Sequence, residues 1–442
     1  MKQCQMVIGL FAALTSLVAS ASMEQKYPVQ TEQWQQTKAS YEREDMLEKH
    51  PATVILWAGS AYAKEFHSPR GHQFAVTDVS HTLRTGVAPE AGEKGMSASC
   101  WTCKTPQAWQ LMQKHGEQGY AGANFTDFGS QIEQVVYCSD CHQGDKGALA
   151  LPRPHAKRAM EKVQLPFAKQ KHSMQASQTC GQCHVTYYFQ PEASNQVNIP
   201  WIFGNTVDEI EKYYDTRRFY EWIHPISQTP MLKARHPEFE HWSRSKHAAQ
   251  GVGCVDCHMA ASTDGSPASH KVGGAWELFD SNCTSCHTNK EKTKSKLEAN
   301  KAWVEQARTK VEDLLVKAHY EAKAAWDAGA TWPQMNTAIM AIRHSQWRWD
   351  FAVSSHGVAA HNPQEAKALL NKSLEQVSLA RVELAKLLAT LKVDEVEYPD
   401  YSSKASAQKA IGLDMPALNQ QKQDYIKATI EKQWQPVANV KP

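Results

Sequence analysis

Five cysteine pairs with the spacing C-x-x-C run through the middle of this 442-residue chain, and the residue after each pair decides its chemistry. Four are followed by histidine: Cys138/Cys141/His142, Cys180/Cys183/His184, Cys254/Cys257/His258 and Cys283/Cys286/His287. The fifth reads Cys100-Trp101-Thr102-Cys103-Lys104. C-x-x-C-H is the attachment signature of c-type haem, in which two thiols form thioethers to the vinyl groups and the histidine ligates the iron. The expectation is haem c, five per chain, with lysine replacing histidine at one iron.

Lysine changes what that iron can do. An ammonium cannot bind a metal, so Lys104 must be held neutral by burial and by the metal itself. Its amine is a σ donor without the π system of imidazole. An electron carrier fills the sixth iron position with a second side chain, whereas an enzyme keeps it open. Two competing readings are weaker. Disulfides would close five strained two-residue loops, and a zinc site would need a second pair beyond the four already assigned. Of 20 histidines, sixteen lie outside the four motifs, which is ample for distal ligands but does not choose among them.

Ten of 11 cysteines belong to the pairs, leaving Cys4. Residues 1–21 read as a signal peptide, with Lys2, an apolar run over 6–18 and Ala19-Ser20-Ala21 as a small-residue cleavage site. Cys4 precedes the apolar run and would leave with the signal. Export to the periplasm fits haem attachment, which in bacteria takes place outside the cytosol. A net charge of +2 argues against a nucleic-acid partner, and a mean hydropathy of −0.56 fits a soluble mature chain.

The elements that must position these groups divide in two. Residues 22–288 are punctuated by Gly, Pro, Asn and Ser and read as a haem-binding catalytic region of loops and short helices, such as 41–50 and 105–115, with one candidate strand at 185–190. Residues 289–392 read as a long helical region. A run over 290–330 is broken by Gly329, a second covers 334–355, and a third opens at Asn362-Pro363 and ends near Leu391. Along the third, Leu370, Leu374, Val377, Leu384, Leu388 and Leu391 form a stripe, either facing the core or forming a seam to a second subunit. Residues 393–442 are a polar tail expected to pack loosely. Residues 22–442 should form one structural unit, a mostly α multihaem cytochrome c body with little strand and long C-terminal helices. The porphyrins themselves would supply much of its apolar core and tie distant segments together.

With these residues in view, the chain resembles the pentahaem cytochrome c nitrite reductases, the ammonia-forming enzymes. The resemblance is carried by the C-W-T-C-K motif, Gly71-His72-Gln73-Phe74, Thr82-Leu83-Arg84-Thr85-Gly86, Cys180-Gly181-Gln182-Cys183-His184-Val185, Pro230-Met231-Leu232-Lys233-Ala234, His236-Pro237 and Gln346-Trp347-Arg348-Trp349-Asp350. It implies nitrite bound at the Lys104 haem, with Arg84, Tyr187 and His236 around it. It also implies distal histidines: His72 for the Cys180/Cys183 haem, His270 for Cys138/Cys141, His247 for Cys283/Cys286 and His361 for Cys254/Cys257, with His356 the alternative for the last. A homodimer is implied, fed by a membrane-attached multihaem quinol dehydrogenase or a soluble cytochrome. The other readings are a non-catalytic electron-transfer cytochrome and a related reductase acting on hydroxylamine or sulfite.

One departure stands out. Relatives with calcium beside the active site carry glutamate before the tyrosine and glutamine before the histidine, where this chain has Thr186 and Arg235. Calcium binds oxygen ligands, so calcium is expected to be absent there, with the Arg235 guanidinium supplying in its place the +1 charge left by an ion and its glutamate.

Overall fold

The computed structural model describes residues 22–37, 42–85, 95–144, 146–163, 165–261 and 268–439. The signal reading of residues 1–21, Cys4 included, lies outside them, as does Gly86. Among the described residues no helix is long and apolar enough to cross a membrane.

The C-terminal half is built on three long helices, Lys290–Asp327, Trp332–Val353 and Pro363–Thr390, each begun by a side-chain cap. The Asn289 side chain accepts from the Lys292 N–H at 2.8 Å, and Asn362 accepts from the Glu365 N–H at 3.2 Å with Pro363 in the first helical position. Thr331 and Gln334 cap each other reciprocally. Gly329, at φ 87°, makes the left-handed turn between the first two. The three helices pack on one another. Leu370, Val377, Leu384 and Leu388 are buried in that contact while Leu374 and Leu391 are half-buried, so the stripe faces this chain's own core.

The second long helix holds the N-terminal half through its polar residues. Gln346 donates to the Leu56 carbonyl at 2.6 Å and meets His319 at 2.9 Å. The Arg348 guanidinium spans Asp208 and Glu211, 2.6 Å from each. Asp350 takes the buried Lys233 ammonium at 2.6 Å and the Ala234 N–H at 2.8 Å. In the N-terminal half the expected strand narrows to Tyr188–Gln190, paired antiparallel with Gln196–Asn198, and two further two-stranded ladders of two residues each complete the strand content among the described residues. The helix expected over 41–50 shortens to Met46–Lys49, capped by Asp45.

The tail corrects the expectation of loose packing. Helix Lys404–Ala410 is tied down by Gln408, which donates to the Ala63 and Lys64 carbonyls at 3.2 and 3.0 Å. Beyond helix Met415–Tyr425, Ile426, Ile430 and Trp434 are buried. Ile426 and Ile430 lie in a π-helical turn, and Trp434, at the extended residue that ends the following helix, stands edge-on to Trp101 at 5.7 Å and to Phe125 at 5.9 Å. A Cβ at Gly129 would lie 2.0 Å from the Trp434 ring, so this approach requires glycine. Lys422 reaches Glu65 at 2.8 Å. The polar composition hid a packed face.

Buried histidines give the fold an acid limit. His224 and His319 stack at 3.8 Å in the core, and the His155 ring meets the Gln182 carbonyl at 2.8 Å. Burial pushes His155 down to about 3, His319 to about 4 and His224 well below its ordinary value. The unfolded chain therefore binds protons that the native state refuses, and stability rises with pH over that range. Below about pH 6.5 each such histidine removes up to about 1.4 kcal/mol per pH unit. Urea midpoints of the holoprotein are expected to fall steadily from pH 6.5 to 4; a flat profile would contradict buried neutral imidazoles.

Candidate active site

The lysine motif is held on three sides. Trp101 is fully buried, stacks on Phe125 at 4.0 Å and donates to the Phe125 carbonyl at 2.9 Å. Arg153 donates to the carbonyls of Thr102 and Thr105 at 2.6 and 2.9 Å and pairs with Asp140, the residue before Cys141. The same guanidinium thus fixes two cysteine motifs together. Lys104 is half-buried at the end of this turn, and its backbone N–H closes on the Trp101 carbonyl at 2.9 Å.

None of the ten paired cysteines is bonded to another cysteine, which argues against the disulfide reading. Nine of them are half-buried, but Cys286 is exposed, as are Thr284, Ser285 and His287 around it. The Cys283/Cys286 motif therefore lies nearer the surface of the chain than the other four. The reason is local. Polar Thr284 and Ser285 fill the motif, the Ser285 hydroxyl stands 3.9 Å from the Cys286 sulfur, and the chain runs on directly into the Lys-rich start of helix Lys290–Asp327.

Each of the four motif histidines faces a second histidine. His72 lies 6.1 Å from His184, His270 6.0 Å from His142, His247 6.1 Å from His287 and His361 6.3 Å from His258, all centroid to centroid. It is His361, and not His356, that meets His258. Two imidazoles on opposite sides of one metal, each bound through Nε2 at about 2 Å, have centroids about 6 Å apart. Nδ1 of His142, His258 and His270 meets the backbone carbonyls of Gly147, Gly273 and Ala268 at 2.8, 2.9 and 3.1 Å, which leaves Nε2 as the free acceptor. His184 remains accessible although Gly181, Gln182, Val185 and Thr186 around it are buried. Donor chemistry, spacing and access all fit haem c with paired histidine ligands.

Around Lys104 the structure gathers charge. The Arg84 guanidinium lies over the Tyr62 ring, 4.8 Å from its centroid, and among the described residues has no carboxylate partner. The backbone beside it is pinned by Glu65, which accepts from the Leu83 N–H at 2.8 Å. His236 sits at φ 49°, a left-handed conformation uncommon outside glycine and found at functional sites. Burial first, then the charges of Lys104 and Arg84 with His184 and His356, hold its imidazole well below the usual range, so it is neutral. Burial, reinforced by Tyr62, raises the Tyr187 phenol well above its usual range against the pull of Arg235, so it keeps its proton.

Arg235 is the hub of this region. It donates to the Tyr187 carbonyl at 3.1 Å, the Lys233 carbonyl at 3.3 Å and the Tyr62 hydroxyl at 3.2 Å, and grips Glu221 with both terminal nitrogens. Glu221 corrects the charge count drawn from the sequence. Its carboxylate neutralises Arg235, so the uncompensated positive charge beside the pocket belongs to Arg84.

Several residues here escaped the sequence reading. Tyr62 lies in an aromatic cluster with Trp57 and Phe66, which signals packing and nothing more. Glu221 carries no local signal. Glu240, fully buried, accepts from the Thr186 N–H at 3.0 Å and from Trp201 at 3.1 Å, and so clips the Tyr187 loop to the helix after His236. Burial raises its carboxyl to about 8. Lys233 and Asp350 stand inside quoted motifs, yet only the fold reveals that they pair.

The fold is similar to that of a cytochrome c nitrite reductase catalytic subunit from Desulfovibrio desulfuricans, described for its two calcium sites. The TM-score is 0.76 at 22% identity, over 89% of this chain and 88% of that one. The profile of the cytochrome c552 family matches residues 19–441. With cysteine motifs that fit haem and nearly the whole chain matched, this protein belongs to the cytochrome c552 family and is a c-type cytochrome.

Proposed function

We propose that the protein reduces nitrite to ammonium, with Lys104 as proximal ligand and Arg84, Tyr187 and His236 lining the distal pocket. The observation that supports the reading is that His236, held at a left-handed φ, feels the charges of both Lys104 and Arg84, and that Arg84 has no carboxylate partner among the described residues. The haems, when bound, would supply an iron that binds nitrite and would pass on the six electrons that the donor delivers. Cys100 and Cys103 would hold the one at the pocket. His142/His270, His184/His72, His258/His361 and His287/His247 would ligate the other four.

The chain's own residues do the rest. Arg84 binds an anionic oxygen, and its fixed charge stabilises negative charge as N–O bonds break. His236, neutral, hydrogen-bonds the second oxygen and passes a proton. Tyr187, kept protonated by its surroundings, donates a proton to departing oxygen. Consuming eight protons with six electrons balances nitrite against ammonium and two waters. A purely electron-carrying cytochrome has no use for a lysine ligand or for an arginine that, among the described residues, has no carboxylate partner.

On this reading Arg235 stands where calcium would otherwise organise the Tyr187 loop, with its donors on the Tyr187 and Lys233 carbonyls. Chelators and added calcium should leave turnover unchanged. Arg235→Gln should lower it on the order of a hundredfold through misplacement of the loop, without recovery in calcium. Activity abolished by EDTA and restored by calcium would contradict this. The protein would work in the periplasm as a homodimer, with a membrane-attached multihaem quinol dehydrogenase or a soluble cytochrome as donor.

The test is steady-state reduction of nitrite, sulfite and hydroxylamine by the haem-loaded protein with a reduced viologen. Nitrite should give the highest kcat/KM. Preference for sulfite, or no turnover of any of the three, would overturn the assignment.

A further inference from the structure

We propose that Tyr62 is the positioning residue for Arg84, setting the affinity of the pocket for an anion; this rests on the nitrite-reductase reading above. Three cations converge on this one ring. Arg84 lies 4.8 Å from its centroid, Lys233 5.3 Å and Arg235 5.9 Å. The hydroxyl accepts from Arg235 Nε at 3.2 Å. The ring itself is wedged between Trp57 at 5.7 Å and Phe66 at 5.9 Å.

The three cations are not equivalent. Lys233 is neutralised by Asp350 and Arg235 by Glu221, 2.6 and 2.7 Å away respectively. Arg84 has no such partner among the described residues, so the aromatic face is what orients its guanidinium. A ring held by two aromatic neighbours is rigid, and cation–π attraction to it is directional. The device orients a positive charge without cancelling it, as a carboxylate would. Glu65 completes the seat from the same segment by fixing the Leu83 N–H at 2.8 Å, and Lys422 of the tail holds Glu65 in turn at 2.8 Å. Burial alone would raise the Tyr62 phenol, yet Arg235, Arg84 and Lys233 together bring it below its ordinary value.

The ring face, rather than the hydroxyl, carries the role. Tyr62→Phe keeps the face and Tyr62→Leu removes it. With haem-loaded protein, the nitrite Kd is read from the visible spectrum of the oxidised state, and KM and kcat from viologen turnover. Tyr62→Leu is expected to weaken nitrite binding and raise KM by about tenfold, the scale of a desolvated cation–π contact. The kcat should change less than the KM, and the KM for neutral hydroxylamine should hold. Tyr62→Phe should restore nitrite affinity to within about threefold of the parent. Equal losses for nitrite and hydroxylamine, equal effects of the two variants, or a fall confined to kcat would overturn the proposal. If the parent binds nitrite without reducing it, the functional reading fails while the Kd comparison still decides the role of Tyr62.

Discussion

Tyr187→Phe lowers nitrite turnover by about two to four orders of magnitude, the range for loss of a positioned general acid, while the protein keeps its full haem complement. The phenol is buried and holds its proton because ionising it there is unfavourable. Its backbone is fixed independently of its hydroxyl, by Arg235 on the Tyr187 carbonyl and by Glu240 on the neighbouring Thr186 N–H. Deleting one oxygen therefore removes a proton donor and leaves the loop in place. The neighbouring tyrosine is the control. Tyr188 is buried and its hydroxyl, among the described residues, meets that of Tyr213, so Tyr188→Phe should act on stability, by about 1–3 kcal/mol for an unsatisfied buried group, and spare turnover. Turnover measured on both variants at equal haem content decides the matter. If Tyr188→Phe is the more damaging to turnover, the donor has been placed one residue off.

Asp350→Asn is expected to destabilise the protein by about 3–5 kcal/mol, the cost of leaving a buried charge without its partner. Lys233 and Asp350 are 2% and 1% exposed in their side chains, with the ammonium 2.6 Å from the carboxylate. Burial pulls the Lys233 ammonium below its usual range even with Asp350 beside it, so the pair is held against a strong tendency to neutralise. The other carboxylate oxygen takes the Ala234 N–H, two residues before His236, at 2.8 Å. Loss of this anchor should therefore disturb the pocket as well as the fold. Replacing both partners, Lys233→Met with Asp350→Leu, should recover most of the stability, because no charge remains to be compensated. Urea midpoints of the single and double variants separate the cases; a single variant that loses less than about 1 kcal/mol would contradict a buried charge pair.

What the sequence disclosed and what it hid follow from range. Haem attachment is a local code of five residues, and helix starts at Asn289, Thr331 and Asn362 are local capping patterns, so both were legible. The code says nothing of depth, which is why the exposure of Cys286 came only with the fold. Contacts that cross the chain were not legible either. The Tyr62–Arg235 bond joins residues 173 apart and the Lys233–Asp350 pair 117 apart, and no periodicity carries such information. The ring pairs His72/His184 and His270/His142 were reached only through the family resemblance, since the spacing of histidines alone selects no partner. The tail is a different case. Its four-residue repeat of Ile426, Ile430 and Trp434 was present to be read and was obscured by the Lys and Gln around it. Arg235 was identified by position, but its charge was misjudged because Glu221, fourteen residues upstream, gave no sign that it would fold back onto it.

The measurement that bears most directly on the account is the electron and nitrogen balance of a single reaction run to completion. Holoprotein is mixed with limiting nitrite and excess reduced viologen, and oxidised viologen and ammonium are counted together. Six viologen electrons consumed and one ammonium released per nitrite is the predicted result. One electron per nitrite with release of nitric oxide, or consumption of nitrite without ammonium, would contradict it.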